Sequence, residues 1–332
     1  MHTQLGNLTR AWTPEAPPEP GNGYLLRVGI AHLLAGGDAD GVRARLSELR
    51  FAGAWLAWCT EARSDDFTPV LRAWRAVGSE DARRHYAAQT GALGDLAAAD
   101  LHLARRVVEF TRDAGWWAES EVLARASLHR HISAIGEEHP ATASARRQLA
   151  LAIKAQGRAA EALPIVEAAL DVHRRMLSAD DPERFVTMNA CASVRSAAGF
   201  KEDAVYLFRE ALAGREALLG RNNPRTLVSL QSLATVLTDL GRHLEAEPLH
   251  REALHVRTRQ LGADHPKTLS SLANLSRALS RSGRAADAIP LLEELVARRS
   301  RQLGPTHPKT RNARKLLAEA SLRALSERPP PQ

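Results

Sequence analysis

Residues 261–304 read LGADHPKTLSSLANLSRALSRSGRAADAIPLLEELVARRSRQLG, and the landmarks of this stretch recur along the C-terminal two thirds of the chain. Five prolines fall at a constant interval of 42 residues: Pro140, Pro182, Pro224, Pro266 and Pro308. One set of glycines keeps the same step: Gly115, Gly157, Gly199, Gly241 and Gly283. A fixed period of this length predicts stacked units of secondary structure instead of one closed globule.

Each unit is predicted to contain two helices, which we call helix A and helix B. The repeated proline suits the first position of helix A, because the N–H that proline lacks has no partner there. Helix A runs for about 16 residues, until the repeated glycine ends it in a left-handed conformation. Helix B follows and ends at a Leu-Gly step, where Ser178 replaces the glycine in one unit.

The residue before the repeated proline is Asp181 or Asn223 in two units, and both residue types are good N-caps. In three other units it is a histidine: His139, His265 and His307. These histidines lie one unit apart along a stack, which is too far to share a metal ion. We therefore predict that they are loop residues that start helix A.

The unit resembles the long tetratricopeptide repeats of the kinesin-light-chain type, in the pattern LG-x-(D/N)-(H/N)-P followed by leucines at helical spacing. Residues 219–303 follow the pattern nearly throughout, and residues 97–218 follow it with more departures. The resemblance implies an all-α fold, a right-handed α-solenoid of tetratricopeptide-like helix pairs with an N-terminal helical cap. It also implies a binding role without chemistry.

The chain divides into four predicted parts. Residues 1–22 hold four prolines and read as a flexible lead-in, and residues 23–95 read as a helical N-terminal cap or arm. Residues 96–327 hold about five repeats, with a C-terminal capping helix near Lys309–Leu325, and residues 328–332 form a tail. Residues 24–58 resemble the helical arm of bacterial NACHT/NB-ARC signalling ATPases of the STAND type, although the phosphate-binding G-x-x-x-x-G-K-(S/T) motif is absent.

The sequence carries no motif for catalysis. It lacks H-E-x-x-H, C-x-x-C, G-x-S-x-G and G-x-G-x-x-G, so we predict no enzyme activity, no cofactor and no metal. Cys59 and Cys191 lie in apolar stretches and read as buried small residues in a reducing compartment. No apolar run approaches the ~18–20 residues of a membrane span, and no signal sequence opens the chain. These features favour a cytoplasmic protein without a membrane partner.

The net charge of +7 is unevenly placed, because residues 1–95 carry 10 arginines and 11 acidic residues. The repeats therefore carry the positive surplus. The predicted groove nevertheless argues against nucleic acid as the partner, because single-strand binders stack bases on aromatic residues and this groove has none. Late in each helix B lies a second basic set, in which cations would complement the helix dipole: Arg174, Arg175, Arg215, Arg257, Arg298 and Arg299.

In this repeat class helix A lines the concave groove, at positions 13, 10, 6, 3 and 2 before the glycine. We predict that the partner-binding residues are Arg105, Arg147, Lys154, Asn189, Ser193, Gln231, Thr235, Asn274 and Arg277. Asn189 and Gln231 stand where the resemblance places an asparagine that clamps a peptide backbone, whereas Ala273 occupies that position in the next unit. Arg147 and Arg277 would hold acidic side chains. We expect these four polar residues to be solvent-accessible and to contribute little to stability.

The predicted function is a non-enzymatic scaffold or sensor that binds a protein or extended peptide, with acidic sequences among the candidate ligands. Two alternatives stay open. The chain could be the detached sensor arm of a STAND-type ATPase system, or it could bind nucleic acid non-specifically through the basic repeats. The sequence leaves the ligand and the oligomeric state undetermined.

Overall fold

The structure, a computed structural model, describes residues 108–109, 111–112 and 115–326. This part of the chain contains ten α-helices and no β-strand. The helices are α1 (Trp117–Ile135), α2 (Pro140–Ala155), α3 (Ala159–Met176), α4 (Pro182–Ala197), α5 (Lys201–Leu219), α6 (Pro224–Asp239), α7 (His243–Leu261), α8 (Pro266–Arg281), α9 (Ala285–Leu303) and α10 (Pro308–Ser326).

Five helices, α2, α4, α6, α8 and α10, begin at a repeated proline, as predicted. Helices α2, α4, α6 and α8 are each 16 residues long and have proline in the first turn. Asp181 caps α4, because its Oδ1 accepts the Glu183 backbone N–H at 2.8 Å. The histidines do the same with Nδ1, and His265 accepts the Lys267 N–H at 3.1 Å. The His-Pro pairs are therefore helix caps.

Helix B ends differently at α3 than in the later repeats. Helices α5, α7 and α9 are 19 residues long and end at a glycine, for example Gly220 with φ 80°. Ser178 occupies this position after α3, and a residue with a side chain is strained at such a φ. Helix α3 is one residue shorter, at 18 residues, and its cap Leu177 takes an extended φ of −111°.

The chain forms two compact units, Met1–Leu177 and Ser178–Gln332, and the second starts at this serine. In the described part of the first unit, α2 packs against α1 and α3. In the second unit, each of α4 to α10 packs against its neighbour in sequence, and each helix A also contacts the next helix A. This packing confirms the predicted all-α repeat solenoid.

Small residues permit the close crossing of helix A and helix B. The repeated alanine near the start of helix B is fully buried at Ala162, Ala204, Ala246 and Ala288. One crossing is closer still, because a Cβ on Gly214 of α5 would lie 2.1 Å from the ring of Phe185 on α4. The equivalent positions one repeat later carry Leu227 and Val256. A large residue on one helix is therefore matched by a small residue on the other.

Several predictions lie outside the described residues. They are the lead-in (1–22), the N-terminal cap (23–95), the STAND-like segment (24–58), the tail (328–332), Cys59 and Arg105. The domain boundaries consequently stay predictions. Helix α10 does occupy the region of the predicted capping helix, and its exposed side carries Arg311, Arg314 and Lys315, where α8 buries Leu269, Leu272 and Ala273.

Candidate functional site

The candidate site is the side of helices α4, α6, α8 and α10 that the groove prediction selected, which we call the helix A face. Equivalent residues 42 apart form rows across these helices. The first row holds Asn189, Gln231 and Ala273; the second holds Ser193, Thr235, Arg277 and Glu319; the third holds Ala197, Asp239, Arg281 and Arg323. All four helices belong to the second unit.

Asn189 of α4 is only partly buried, but its amide takes part in a network that joins three helices. Its Nδ2 donates to the Phe185 carbonyl at 3.0 Å and to Ser229 Oγ of α6 at 2.7 Å. Arg215 of α5 donates to the same Ser229 oxygen at 2.8 Å. The Oδ1 of Asn189 is buried and has no hydrogen-bond partner among the described residues, so it keeps an unused acceptor.

Gln231 repeats this arrangement one unit later. Its Oε1 accepts from Arg257 of α7 and, at 3.1 Å, from the hydroxyl of Ser271 on α8. Only 9% of the residue is exposed, and its Nε2 has no hydrogen-bond partner among the described residues. The expectation that Gln231 is solvent-accessible is wrong, because the next repeat covers it. Its role as a partner-binding residue stays a prediction.

Arg147 of α2, in the first unit, is also buried, with 1% of its surface exposed. The expected accessibility of this residue is therefore wrong as well. Lys154 on the same helix is partly buried, and burial, together with the nearby Arg112, lowers the pKa of its ammonium group. The preceding segment contacts α2 on this side. Gln148 of α2 accepts from Arg112 of that segment at 2.7 Å and donates to Glu109 at 2.8 Å.

The remaining predicted residues stay partly accessible. Ser193, Thr235, Asn274 and Arg277 are each half-buried. Thr235 donates to the Gln231 carbonyl at 2.8 Å, and Arg277 donates to Asn274 Oδ1 at the long distance of 3.4 Å. The structure thus brings Asn189, Ser193, Thr235 and Arg277 onto one accessible face of the second unit.

Sequence reasoning named the basic residues late in helix B but missed that three of them are buried. Arg215, Arg257 and Arg299 are only 5%, 6% and 7% exposed, so they do not simply complement the helix dipole in solvent. Each donates to a backbone carbonyl at the start of the following helix A: Arg225, Lys267 and Lys309. Burial lowers the pKa of Arg257 and Arg299. The 42-residue spacing of these arginines was the available signal of their burial, because a surface cation need not recur at the same position of each repeat.

The exposed side of helix B is closed by ion pairs between successive repeats. Arg209 of α5 pairs with Glu245 of α7 at 2.6 Å, and Arg242 pairs back with Glu202 at 3.0 Å. Arg284 pairs with Glu247 at 2.8 Å. Much of the positive charge of the repeats is therefore neutralised on this side.

One buried histidine occupies a position that is apolar in the other repeats. His250 of α7 is 1% exposed and aligns with Val166, Phe208 and Leu292. Its Nε2 lies 3.2 Å from Thr238 Oγ1, and Thr238 donates its own proton to the Ala234 carbonyl, so the imidazole donates this bond. Burial, with a smaller effect of Arg277, lowers the pKa of His250 to about 4.

Among the described residues, no group of three or more His, Cys, Asp or Glu side chains is placed to hold a metal ion. No described helix combines the length and the apolar character that a membrane crossing requires. Cys191, which the sequence placed in the core, is a fully buried thiol.

Comparison with known proteins identifies the repeat. Residues 144–217, 202–254 and 225–299 match the family model described as tetratricopeptide repeat, so this part of the chain consists of tetratricopeptide repeats. This confirms the resemblance drawn from the prolines and glycines. Such repeats indicate a protein-interaction scaffold. No curated protein matches the sequence.

Solved structures share the fold. The chain is similar to the nearly identical TPR-like repeats of a kinesin light chain-type protein from Podosopora anserina, with 24% identity and a TM-score of 0.51. The match covers 60% of this chain and 95% of that chain. It is similar to BtubC (BKLC) from P. vanneervenii, with 18% identity, coverage of 70% and 94%, and a TM-score of 0.55. A Rap protein complexed with Competence and Sporulation Factor gives 13% identity, coverage of 98% and 98%, and a TM-score of 0.52.

Proposed function

We propose that the second unit recognises a protein or an extended peptide through its helix A face, and that the chain has no catalytic role. The observation that carries this proposal is the contrast between the two sides of the repeats. The exposed side of helix B is closed by ion pairs, whereas helix A keeps Asn189, Ser193, Thr235 and Arg277 partly exposed. Amides and hydroxyls both donate and accept, which suits the backbone of an extended chain.

The fold comparison supports a polypeptide ligand. A Rap protein of the same fold was solved in complex with Competence and Sporulation Factor. Toward α8 and α10 the helix A face becomes cationic, with Arg277, Arg281 and Arg323, and we therefore expect acidic groups at that end of the ligand. Protein is favoured over nucleic acid because the surface arginines Arg209, Arg242 and Arg284 are engaged with carboxylates.

A selection from random peptides tests the assignment of the face. Random 12-residue peptides displayed on phage would be selected against the full chain, and the affinity of the best synthetic peptide would be measured by fluorescence anisotropy. The chain offers a matched pair of variants, because Val228 on α6 is 46% exposed and Leu244 on α7 is 95% exposed. Val228→Asp introduces a carboxylate on the helix A face, and Leu244→Asp introduces the same group on helix B.

We expect Val228→Asp to weaken the peptide about tenfold or more, because it places an uncompensated charge in the interface. Leu244→Asp should leave the affinity unchanged. The reverse result would move the binding surface to helix B and overturn the proposal. Failure to select any peptide above background would count against peptide recognition itself.

The sensor-arm alternative depends on residues 24–58 and stays a prediction, as does the cytoplasmic location. Non-specific nucleic-acid binding can be tested directly, because affinity for an oligonucleotide should then fall with salt at a log–log slope of about −0.9 for each phosphate contacted. We expect binding no tighter than roughly 10⁻⁴ to 10⁻⁶ M at physiological salt.

A further inference from the structure

A cleft of about 300 Å³ lies between α8, α9 and α10 in the second unit. Three arginines line it, Arg277 and Arg281 of α8 and Arg323 of α10, together with Ser276 and Ser280. Leu292 and Leu316 supply an apolar part of the wall, and Glu319 is the single acidic residue of the lining. A space of this size holds one ionic group and the short stem that carries it.

The repeat register shows that the charge of this cleft is unusual. At the preceding junction, between α6 and α8, Asp239 and Arg281 form an ion pair. One repeat later the equivalent positions carry Arg281 and Arg323. A junction that joins opposite charges in one repeat therefore has two like charges in the next. Like charges in neighbouring positions repel each other, so this arrangement favours an anion between them.

Arg281 is partly compensated by its ion pair with Asp239, whereas the other two arginines of the cleft have little internal compensation. In the part of the chain that the structure describes, neither Arg277 nor Arg323 forms an ion pair. Arg277 reaches Asn274 Oδ1 at 3.4 Å, and Arg323 reaches the Ser280 carbonyl at 3.5 Å, both at the long limit for a hydrogen bond. Glu319 lies 3.9 Å from Lys315, so its charge is shared with that cation. This contrasts with Arg209, Arg242 and Arg284, each of which pairs with a carboxylate of a neighbouring repeat.

We propose that this cleft binds a phosphoryl group, carried on a phosphorylated side chain of the bound peptide. The proposal rests on the peptide-binding function proposed above. A phosphate monoester brings about −1.5 to −2 charges and three strong acceptor oxygens, enough to engage several guanidinium groups at once. A carboxylate offers one charge and two oxygens. Arg277 and Arg323 provide the free donors, and Arg281 can share its guanidinium with Asp239.

Three degenerate decapeptide mixtures test the proposal against the full chain. They are identical except for a central fixed residue, which is serine, glutamate or phosphoserine, and a fluorescein label reports binding by anisotropy. We expect the phosphoserine mixture to bind about tenfold tighter than the glutamate mixture, since additional charged hydrogen bonds form. The double variant Arg277→Ala and Arg323→Ala should reduce the phosphoserine mixture to the level of the serine mixture.

A matched control removes the same charge from helix B. Arg259 and Arg301 lie exposed in the last turns of α7 and α9, and Arg259→Ala with Arg301→Ala should preserve the phosphoserine preference. The variant Arg277→Lys with Arg323→Lys keeps the charge but loses the fork geometry, so it should bind at an intermediate level. Circular dichroism melting would establish that each variant is folded.

Four results would overturn the inference. Equal binding of the glutamate and phosphoserine mixtures would assign the cleft to carboxylates. Equal losses in the two double alanine variants would make the attraction one of net charge alone. If inorganic phosphate displaced the phosphoserine peptides completely at concentrations near their dissociation constant, the cleft would be assigned to free phosphate. If the double alanine variant were unfolded and the double lysine variant bound the phosphoserine mixture as the unmodified chain does, the arginines would be assigned to stabilising the fold. In each case a phage-selected peptide could still bind, so the proposed function is tested separately.

Discussion

The two units of the molecule fill one repeat position with two different basic residues. His131 and His173 occupy it in the first unit, and Arg215, Arg257 and Arg299 occupy it in the second. All five are buried. The Nδ1 of His131 lies 2.7 Å from the Ser127 carbonyl of its own helix, and the Nε2 of His173 lies 2.9 Å from the Pro140 carbonyl of the helix A that pairs with it.

The arginines reach farther. Arg215 contacts the Arg225 carbonyl at 2.9 Å, and Arg257 contacts Ser271 at 2.7 Å, so each of them bonds to the helix A of the following repeat. The difference shows that the length of the side chain decides which helices a buried basic group connects. An imidazole stabilises its own helix pair, whereas a guanidinium on a longer stem also joins one pair to the next.

The largest effect should come from removing such an arginine. Arg257→Ala removes one of the two donors to Gln231 Oε1 and the donor to the Ser271 hydroxyl, together with a buried aliphatic stem. We therefore expect it to lower the free energy of unfolding by about 3 kcal/mol. Urea denaturation followed by circular dichroism measures this loss. Arg257→His, which copies the first unit, should restore only part of it. A loss below about 0.5 kcal/mol for Arg257→Ala would mean that the buried row does not join the repeats.

The second prediction concerns His250, a buried base that changes its charge with pH, whereas the buried arginines stay charged. The pKa of His250 is about 4 in the folded chain, below the ordinary histidine value of about 6.5. As the pH falls, His250 takes up a proton in the unfolded chain before it does so in the folded chain. The stability that the neutral imidazole contributes is therefore fully present above about pH 6.5 and is lost as the pH falls toward 4. Between pH 7 and pH 5 we expect a loss of about 2 kcal/mol from this group.

His250→Leu provides the control, because Leu292 fills the equivalent position in the next repeat. Urea midpoints of both proteins from pH 7 to pH 4.5 would be compared, and carboxylate titrations common to both cancel in the difference. The variant should lack the additional loss. Parallel curves for the two proteins would show that the imidazole is not buried in its neutral form.

A smaller effect is expected at the polar end of the same network. Gln231→Ala removes the amide acceptor of Arg257 but leaves the Ser271 hydroxyl and the Lys267 carbonyl in place. We expect a loss of about 1 kcal/mol in the free energy of unfolding. Thr235→Ala, on the accessible part of the same helix, should cost less than half as much. An unchanged urea midpoint for Gln231→Ala would restore the original interpretation of a free groove residue.

The smallest effect should come from a surface arginine. Arg284→Ala removes the ion pair with Glu247 at 2.8 Å, which is exposed to solvent and weak for that reason. Its shift of the urea midpoint should be smaller than that of Gln231→Ala and should vanish in 1 M NaCl, where the screening length is about 3 Å. A shift as large as that of Arg257→Ala would remove the distinction between buried and surface arginines.

Periodicity in the sequence was sufficient to predict the helices. The spacing of Pro182, Pro224 and Pro266 placed the start of each helix A, and the following glycine placed its end. These features act within one turn of the chain, because a ring without an N–H and a backbone at positive φ are properties of single residues. The all-α repeat fold follows from them.

The accessibility of the candidate site could not be predicted in the same way. The repeat offset placed Gln231 and Arg147 on a helix A, but their burial depends on which neighbouring side chains reach over them. Arg257 extends from helix B to cover Gln231, and no local pattern records that distance. Likewise, the surplus of arginine gave no sign of which cations have carboxylate partners. That Arg277 and Arg323 have none within the described repeats emerged only from the packed structure.

The pairing of Phe185 with Gly214 has a consequence for how such repeats can change over time. Tandem repeats of equal length offer many points for unequal recombination, which exchanges or deletes whole units. A recombination point between α4 and α5 would separate the two residues. Phe185 would then clash with a valine like Val256, and Gly214 opposite a leucine like Leu227 would leave a cavity. Helix pairs that end at the glycine after helix B carry both partners together. The viable modules of this chain are therefore those that keep each helix A with its own helix B.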